Sequence, residues 1–146
     1  MIRLRPLLFF DANTIHSAVN EIAEGAVQSF LINSNRTLSG SIDTVESGGN
    51  GPAFCAQFSN FVVAAMNYGS GNGSFTPTTN DGTTFERPAS FVNFPQPPNT
   101  VSHPHMALEY NNEVFVSDLV SVVLYLDRSL AIRVLCGFLT CCVFGF

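Results

Sequence analysis

Two histidines separated by one proline, His103-Pro104-His105, are the residues of this chain best suited to moving a proton. An imidazole titrates near neutrality, so it can take a proton from a nucleophile and return it to a leaving group. Water attacking an ester carbonyl needs that service, and so does a carboxylate adding across an activated double bond. Both reactions build negative charge that cationic side chains stabilise. If the segment after the prolyl pair is a strand, alternation sends Ala107 and Glu109 to the side of His105. Met106, Leu108 and Tyr110 then take the other side. Glu109 would lie about 13 Å along the strand from His105, too far to polarise it directly. His105 is the candidate catalytic residue. The plainer alternative is a loop histidine that donates to a backbone carbonyl.

Other chemistry-bearing residues offer less. Cys55 stands alone in an apolar run, and Cys136, Cys141 and Cys142 crowd the last eleven positions with no CxxC spacing. They read as small buried hydrophobes, with no metal ligand set and no cofactor implied. Asn67-Tyr-Gly-Ser-Gly-Asn-Gly73 has the glycines of a phosphate loop but neither the following Lys-Ser/Thr nor a helix, so the glycines are assigned to turns. His16 is isolated. Asp43, Glu46 and Asp81 read as solvated carboxylates. A net charge of −5 with six basic residues excludes the phosphate-neutralising patch of a nucleic-acid binder, and no polybasic stretch suits an anionic membrane.

The elements that must position His105 are strands. Charged residues are 12% of the chain against 46% hydrophobic, with Ser, Thr, Asn, Gly and Pro filling the punctuation between short apolar runs. Ile15, Ala18, Val19 and Ile22 have helical spacing, so a short helix is expected over 13–24. From Gly25 the period becomes two. Strands are expected at 27–32, 38–45, 53–58, 61–66, 74–77, 90–94, 106–110 and 113–117, with Ser47-Gly-Gly-Asn-Gly-Pro52 as a loop and Asn111-Asn112 as a two-residue turn. The run Met1 to Phe10 stops at Asp11 before it can form a signal-peptide core, so cytoplasmic location is the default expectation.

A weak repeat links two of these units. Pro52 corresponds to Pro104, Phe58 to Tyr110 and, after a slip of one residue, Asn67 to Asp118, at an offset of 51 to 52 positions. About fifty residues with four short strands is the size of one blade of a β-propeller. Asn67 and Asp118 are expected to hold the chain at the exit of each second strand through side-chain hydrogen bonds. The last 27 residues break the pattern. Asp127, Arg128 and Arg133 interrupt a membrane span, and the uninterrupted apolar stretch is too short for one. The tail, 120–146, is expected to be unrelated to the repeat, as if a reading frame or splice boundary were lost near Leu119.

Four stretches resemble the seven-bladed propeller lactonases, a family that includes 6-phosphogluconolactonase and carboxy-cis,cis-muconate cyclase, and their wording resembles that of fungal members. They are Gly25-Ala-Val-Gln-Ser-Phe30 with Leu38-Ser-Gly40, Ser47 to Pro52, Ala65-Met-Asn-Tyr-Gly-Ser-Gly71, and His103-Pro-His-Met106 leading to Val114-Phe-Val-Ser-Asp-Leu119. The resemblance spans 25–119. It implies an all-β, incomplete propeller of about one full blade plus two half-blades, with an aberrant apolar tail. It implies that the Pro-His motif enters the innermost strand of a blade, so that His105 inherits a place at the mouth of the central channel while His103 flanks it. Val120-Ser-Val-Val123 departs from the Gly-x-Asp that the family carries after Asp118-Leu119. The cyclase's Arg and Glu belong to later blades, and nothing is carried over for them.

The expected function is therefore a piece of a lactonase or cycloisomerase acting on a small carboxylated lactone or muconate-like acid, inactive alone. The alternative is a non-catalytic propeller piece used as a binding or assembly surface. In either case open blade faces, lined by residues such as Phe54, Phe58, Val62 and Phe115, are expected to favour self-association.

Overall fold

The computed structural model describes residues 14–19, 24–96, 98–111, 113–119, 123–128 and 131–136, and for 15–19, 123–128 and 131–136 it describes the backbone course. Among the described residues every regular element is a strand. Three antiparallel sheets follow one another along the chain. The first holds β1 (Thr14–Val19), β2 (Glu24–Leu31) and β3 (Asp43–Asn50). The second runs in order through β4 (Pro52–Gln57), β5 (Val62–Asn67), β6 (Asn72–Pro77) and β7 (Ser90–Asn93). The third holds β8 (Pro104–Tyr110), β9 (Glu113–Asp118), β10 (Val123–Arg128) and β11 (Ala131–Cys136). Each strand pairs with its sequence neighbour, the up-and-down order of propeller blades.

The sheets are stacked face to face, and the middle one is buried on both sides. Cys55, Val63 and Ala65 meet Val27 and Val45 of the first sheet and Phe85 of the β6–β7 loop. On the opposite face Ala56, Phe58, Ala64 and Met66 meet Phe94 and, from the third sheet, Ala107 and Val116. Burial on both faces explains why β5 is apolar without alternation. Its alanines let the neighbouring sheets approach closely. Phe58, 6% exposed, contributes about 2 to 3 kcal/mol by leaving water. Burial pushes the Cys55 thiol up to about 12, so this cysteine is an inert packing residue, as its sequence setting implies.

Polar staples close the first seam. Ser29 Oγ donates to Thr83 O at 2.6 Å and Thr14 Oγ1 donates to Asp81 O at 3.1 Å. Asp43 accepts from the Phe85 N–H at 2.9 Å and from Arg87 Nη2 at 3.2 Å. In the second seam Glu109 accepts from both the N–H and the hydroxyl of Ser59, each at 2.7 Å.

Several expectations are corrected. Residues 14–19 form β1, paired with β2 from Thr14↔Leu31 to Val19↔Ala26, where a helix was expected over 13–24. Tertiary pairing overrides the local period in a segment carrying β-branched Thr14, Ile15 and Val19. The glycine loop at 47–52 largely belongs to strands: β3 runs to Asn50 and β4 starts at Pro52. Gly48 and Gly51, at φ +72° and +61°, allow this corner. The backbone of the C-terminal segment, expected to lie outside the repeat, adds β10 and β11 to the third sheet, with Tyr125 opposite Val116. The two four-stranded sheets and one three-stranded sheet make an all-β, incomplete propeller, the fold class that the sequence implies. Because the third sheet covers them, Phe58 is buried and Phe54 packs against the same core. The open apolar face instead carries Met106, Leu108 and Tyr110. Asn111 does take the positive φ expected of its turn, at 52°. Among the described residues no helix is long and apolar enough to cross a membrane. The Met1 to Phe10 run, Cys141, Cys142 and Asn112 lie outside the described residues, as do the side chains of His16 and Cys136.

Candidate functional site

The first residues of β8 depart from regular pairing. Pro104 lies opposite Asp118 and Met106 opposite Ser117, so His105 is an extra residue with no partner of its own, a β-bulge. Pro104 is buried and His105 half-buried in succession, and the strand alternates from Met106 onward. A bulge re-aims the side chain it carries, which is why such irregularities gather beside functional sites. The second sheet repeats the device. Pro52 pairs with Asn67 and Phe54 with Met66, leaving Ala53 as the extra residue. Where one blade places a methyl group, the next places an imidazole.

The residue that closes each bulge is the pair seen in the repeat. Asp118 accepts a very short hydrogen bond from Ser102 Oγ and a second from the His103 N–H at 3.2 Å. Ser102 is fully buried, so this carboxylate holds the turn that delivers both histidines. In the preceding seam Asn67 does the complementary work. Its Nδ2 donates to Ser47 O at 2.7 Å and to Asn72 Oδ1 at 2.9 Å, and Asn72 Nδ2 donates to Gly48 O at 2.8 Å. The side-chain hydrogen bonding expected of Asn67 and Asp118 is present at both positions. Asn67 Oδ1 is buried with no partner, a polar atom left with an unmet need.

Three rings meet at this corner. Tyr68, following β5, stacks on His103 with centroids 4.1 Å apart and planes 12° apart. It meets His105 edge to face at 6.4 Å and 85°. His103 Nδ1 lies 2.6 Å from Tyr68 O. Tyr68 is itself fixed, because its N–H donates to Gly51 O at 2.9 Å, while Gly69 N–H donates to Asn50 O at 3.0 Å. Gly71, at φ +67°, turns the chain into β6, and a Cβ there would stand 2.9 Å from Ser102 O. The corner thus joins the exit of β5, the β3–β4 connection and the entry of β8.

His105 lies at the entry of β8, the second residue of the strand, and is half-buried. Glu109 shares its side of β8 but is committed to Ser59, 50 residues away in sequence, so it does not polarise His105. Sequence reasoning passed over Tyr68, which lies inside a quoted motif but carries no spacing signal that its ring reaches residues 35 positions on. His103 is more than a flank, being held by its backbone, by Nδ1 and by its ring face. Among the described residues no group of three or more His, Cys, Asp or Glu side chains converges to hold a metal. The arrangement can offer imidazole nitrogens to a ligand and move a proton at one of them.

Comparison with known proteins agrees with this architecture. The family model described as lactonase, seven-bladed β-propeller, matches residues 6–123. A candidate 6-phosphogluconolactonase from Bacteroides fragilis superposes with a TM-score of 0.70 at 20% identity, covering 84% of this chain and 36% of the other. A second, from Bacteroides uniformis, gives 0.69 at 18% identity, covering 80% and 36%. A Lactobacillus plantarum protein gives 0.67 at 24% identity, covering 88% and 38%. The chain thus spans little more than a third of the length of these structures. No curated protein matches the sequence.

Proposed function

The chain belongs to the seven-bladed β-propeller lactonase family, and from that premise we propose that it forms the part of a lactone-processing site in which His105 handles the proton. The observation that supports this most is the bulge at His105: it spends an irregularity of the ladder on an imidazole and sets it half-buried, edge to face with Tyr68. In lactone hydrolysis, water adds to the ester carbonyl, and a neutral His105 takes its proton as the tetrahedral oxyanion forms. The same imidazolium then protonates the alkoxide that leaves as the ring opens. The oxyanion needs positive charge or hydrogen-bond donors beside it, which further blades would supply. The substrate on this reading is a small carboxylated lactone, and the chain alone turns over nothing. Cycloisomerisation of a muconate-like acid would use His105 for the same transfer, with a carboxylate in place of water.

A second reading takes the segment as a non-catalytic binding or assembly surface. It is favoured by the open apolar face of β8, where Leu108 is 54% exposed. One experiment separates them. The chain is joined to any further blades encoded downstream and assayed for hydrolysis of a six-carbon sugar lactone and for cyclisation of a carboxymuconate. Loss of a general acid-base group lowers kcat on the order of a hundredfold or more, so His105→Gln should do so without changing the fold. An unchanged rate in that variant, or no turnover by the completed ring, removes the enzymatic reading.

A further inference from the structure

We infer that His103 is a specificity-determining residue, locked in the Nδ1–H tautomer so that its Nε2 accepts a hydrogen bond from a ligand hydroxyl beside His105. The inference rests on reading this corner as the ligand-facing end of the chain, and it adds a recognition role that proton transfer at His105 does not require.

The tautomer follows from the partner. A carbonyl oxygen can only accept, so the 2.6 Å contact between His103 Nδ1 and Tyr68 O requires the proton on Nδ1. A neutral imidazole carries one proton, which leaves Nε2 with a lone pair. No described protein group hydrogen-bonds Nε2. Every other degree of freedom of the residue is restrained. Its N–H donates to Asp118 Oδ1 at 3.2 Å and its carbonyl accepts from Leu119 N at 3.1 Å. Its ring face lies on Tyr68 at 4.1 Å. One nitrogen is held, the ring plane is fixed and the other nitrogen is left free, which is the arrangement of a preorganised acceptor.

The chemistry of that acceptor selects its ligand. A lone pair takes an O–H donor and repels a carboxylate or phosphate oxygen, so neutral His103 favours a hydroxyl-bearing, sugar-like ligand over an acid of equal length without hydroxyls. Tyr68 serves as the positioning residue, through its carbonyl and its ring. It also borders His105, so a hydroxyl held at Nε2 lies beside the proton-transfer group.

The test uses the full chain with 15N-labelled histidine, observed by magic-angle-spinning NMR, which tolerates self-associated protein. At pH 8 His103 should show a protonated Nδ1 and a bare Nε2, assigned by loss of the signals in His103→Asn. In that variant the Asn amide nitrogen can replace Nδ1 and keep the bond to Tyr68 O, while nothing replaces Nε2. D-gluconate should move the bare Nε2 resonance, and adipate, six carbons long without hydroxyls, should not. His103→Asn should keep the urea midpoint of the wild type and bind gluconate about fivefold more weakly, the effect of one neutral hydrogen bond. A proton on Nε2, equal shifts with adipate, no shift at saturating gluconate, or unchanged gluconate binding in His103→Asn each overturn the inference. None of these outcomes touches the rate loss in His105→Gln, so the two readings fail separately.

Discussion

Replacing Asn67 by Asp tests how the bulged corners are held. The side chain is fully buried and its Nδ2 donates at 2.7 Å to Ser47 O and at 2.9 Å to Asn72 Oδ1. A carboxylate has the same shape and no donor, so both contacts become repulsions between oxygens. Asn72 cannot turn to help, because its own Nδ2 is engaged by Gly48 O. Two lost hydrogen bonds with their acceptors left buried cost about 2 to 3 kcal/mol. An unpaired buried charge adds more, so the variant should lose about 4 kcal/mol at pH 7.5. Such a group keeps its proton more tightly when folded than in the unfolded chain, where it titrates near pH 4. The folded state then binds more protons, and the penalty should be smallest below about pH 4 and should grow as pH rises through the folded value. Urea unfolding of wild type and Asn67→Asp, followed by far-ultraviolet circular dichroism at pH 4 and 7.5, measures both quantities. A variant within about 1 kcal/mol of wild type at pH 7.5, or an equal deficit at both pH values, would refute the reasoning. The reciprocal change, Asp118→Asn, keeps one acceptor and should cost about 1 to 2 kcal/mol.

The first seam should show an acid limb of its own. Burial alone would raise the Asp43 carboxyl, but the N–H groups of Phe85 and Thr44 and the Arg87 guanidinium together hold it below its usual value. A depressed carboxylate contributes stability above its unfolded pKa, near 3.8, and loses it as pH falls through the lower folded value. Urea midpoints measured from pH 5 to 2 should therefore fall more steeply for wild type than for Asp43→Asn, and parallel slopes would contradict this. The third sheet should drive self-association, since Met106, Leu108 and Tyr110 stand at the positions equivalent to Phe54, Ala56 and Phe58, which in the middle sheet are covered by the third. Light scattering on the wild-type chain should show oligomers that Leu108→Lys reduces. A wild-type monomer with a cooperative, concentration-independent melt would count against that face as a contact surface.

What could be read from the chain was local. Pro52 with Pro104 and Asn67 with Asp118 mark the same step of one repeat, because strand entry and exit need particular residue types at particular spacings. Turn residues such as Asn111 announce their backbone conformation directly. The family resemblance travels on those same short motifs. The helix expected over 13–24 failed because strand pairing is a long-range choice, made by β2 against a weak local period.

The sequence by itself determined that this protein is built of antiparallel strands in blade-sized units and that His105 stands at a strand entry. Tertiary structure alone decided that His105 is the extra residue of a bulge, that Glu109 turns to Ser59, and that Tyr68 braces His103. A period-two pattern records which face a side chain takes only while the ladder stays regular. Contacts between rings 35 residues apart depend on how whole sheets stack, and no local pattern of residues encodes that.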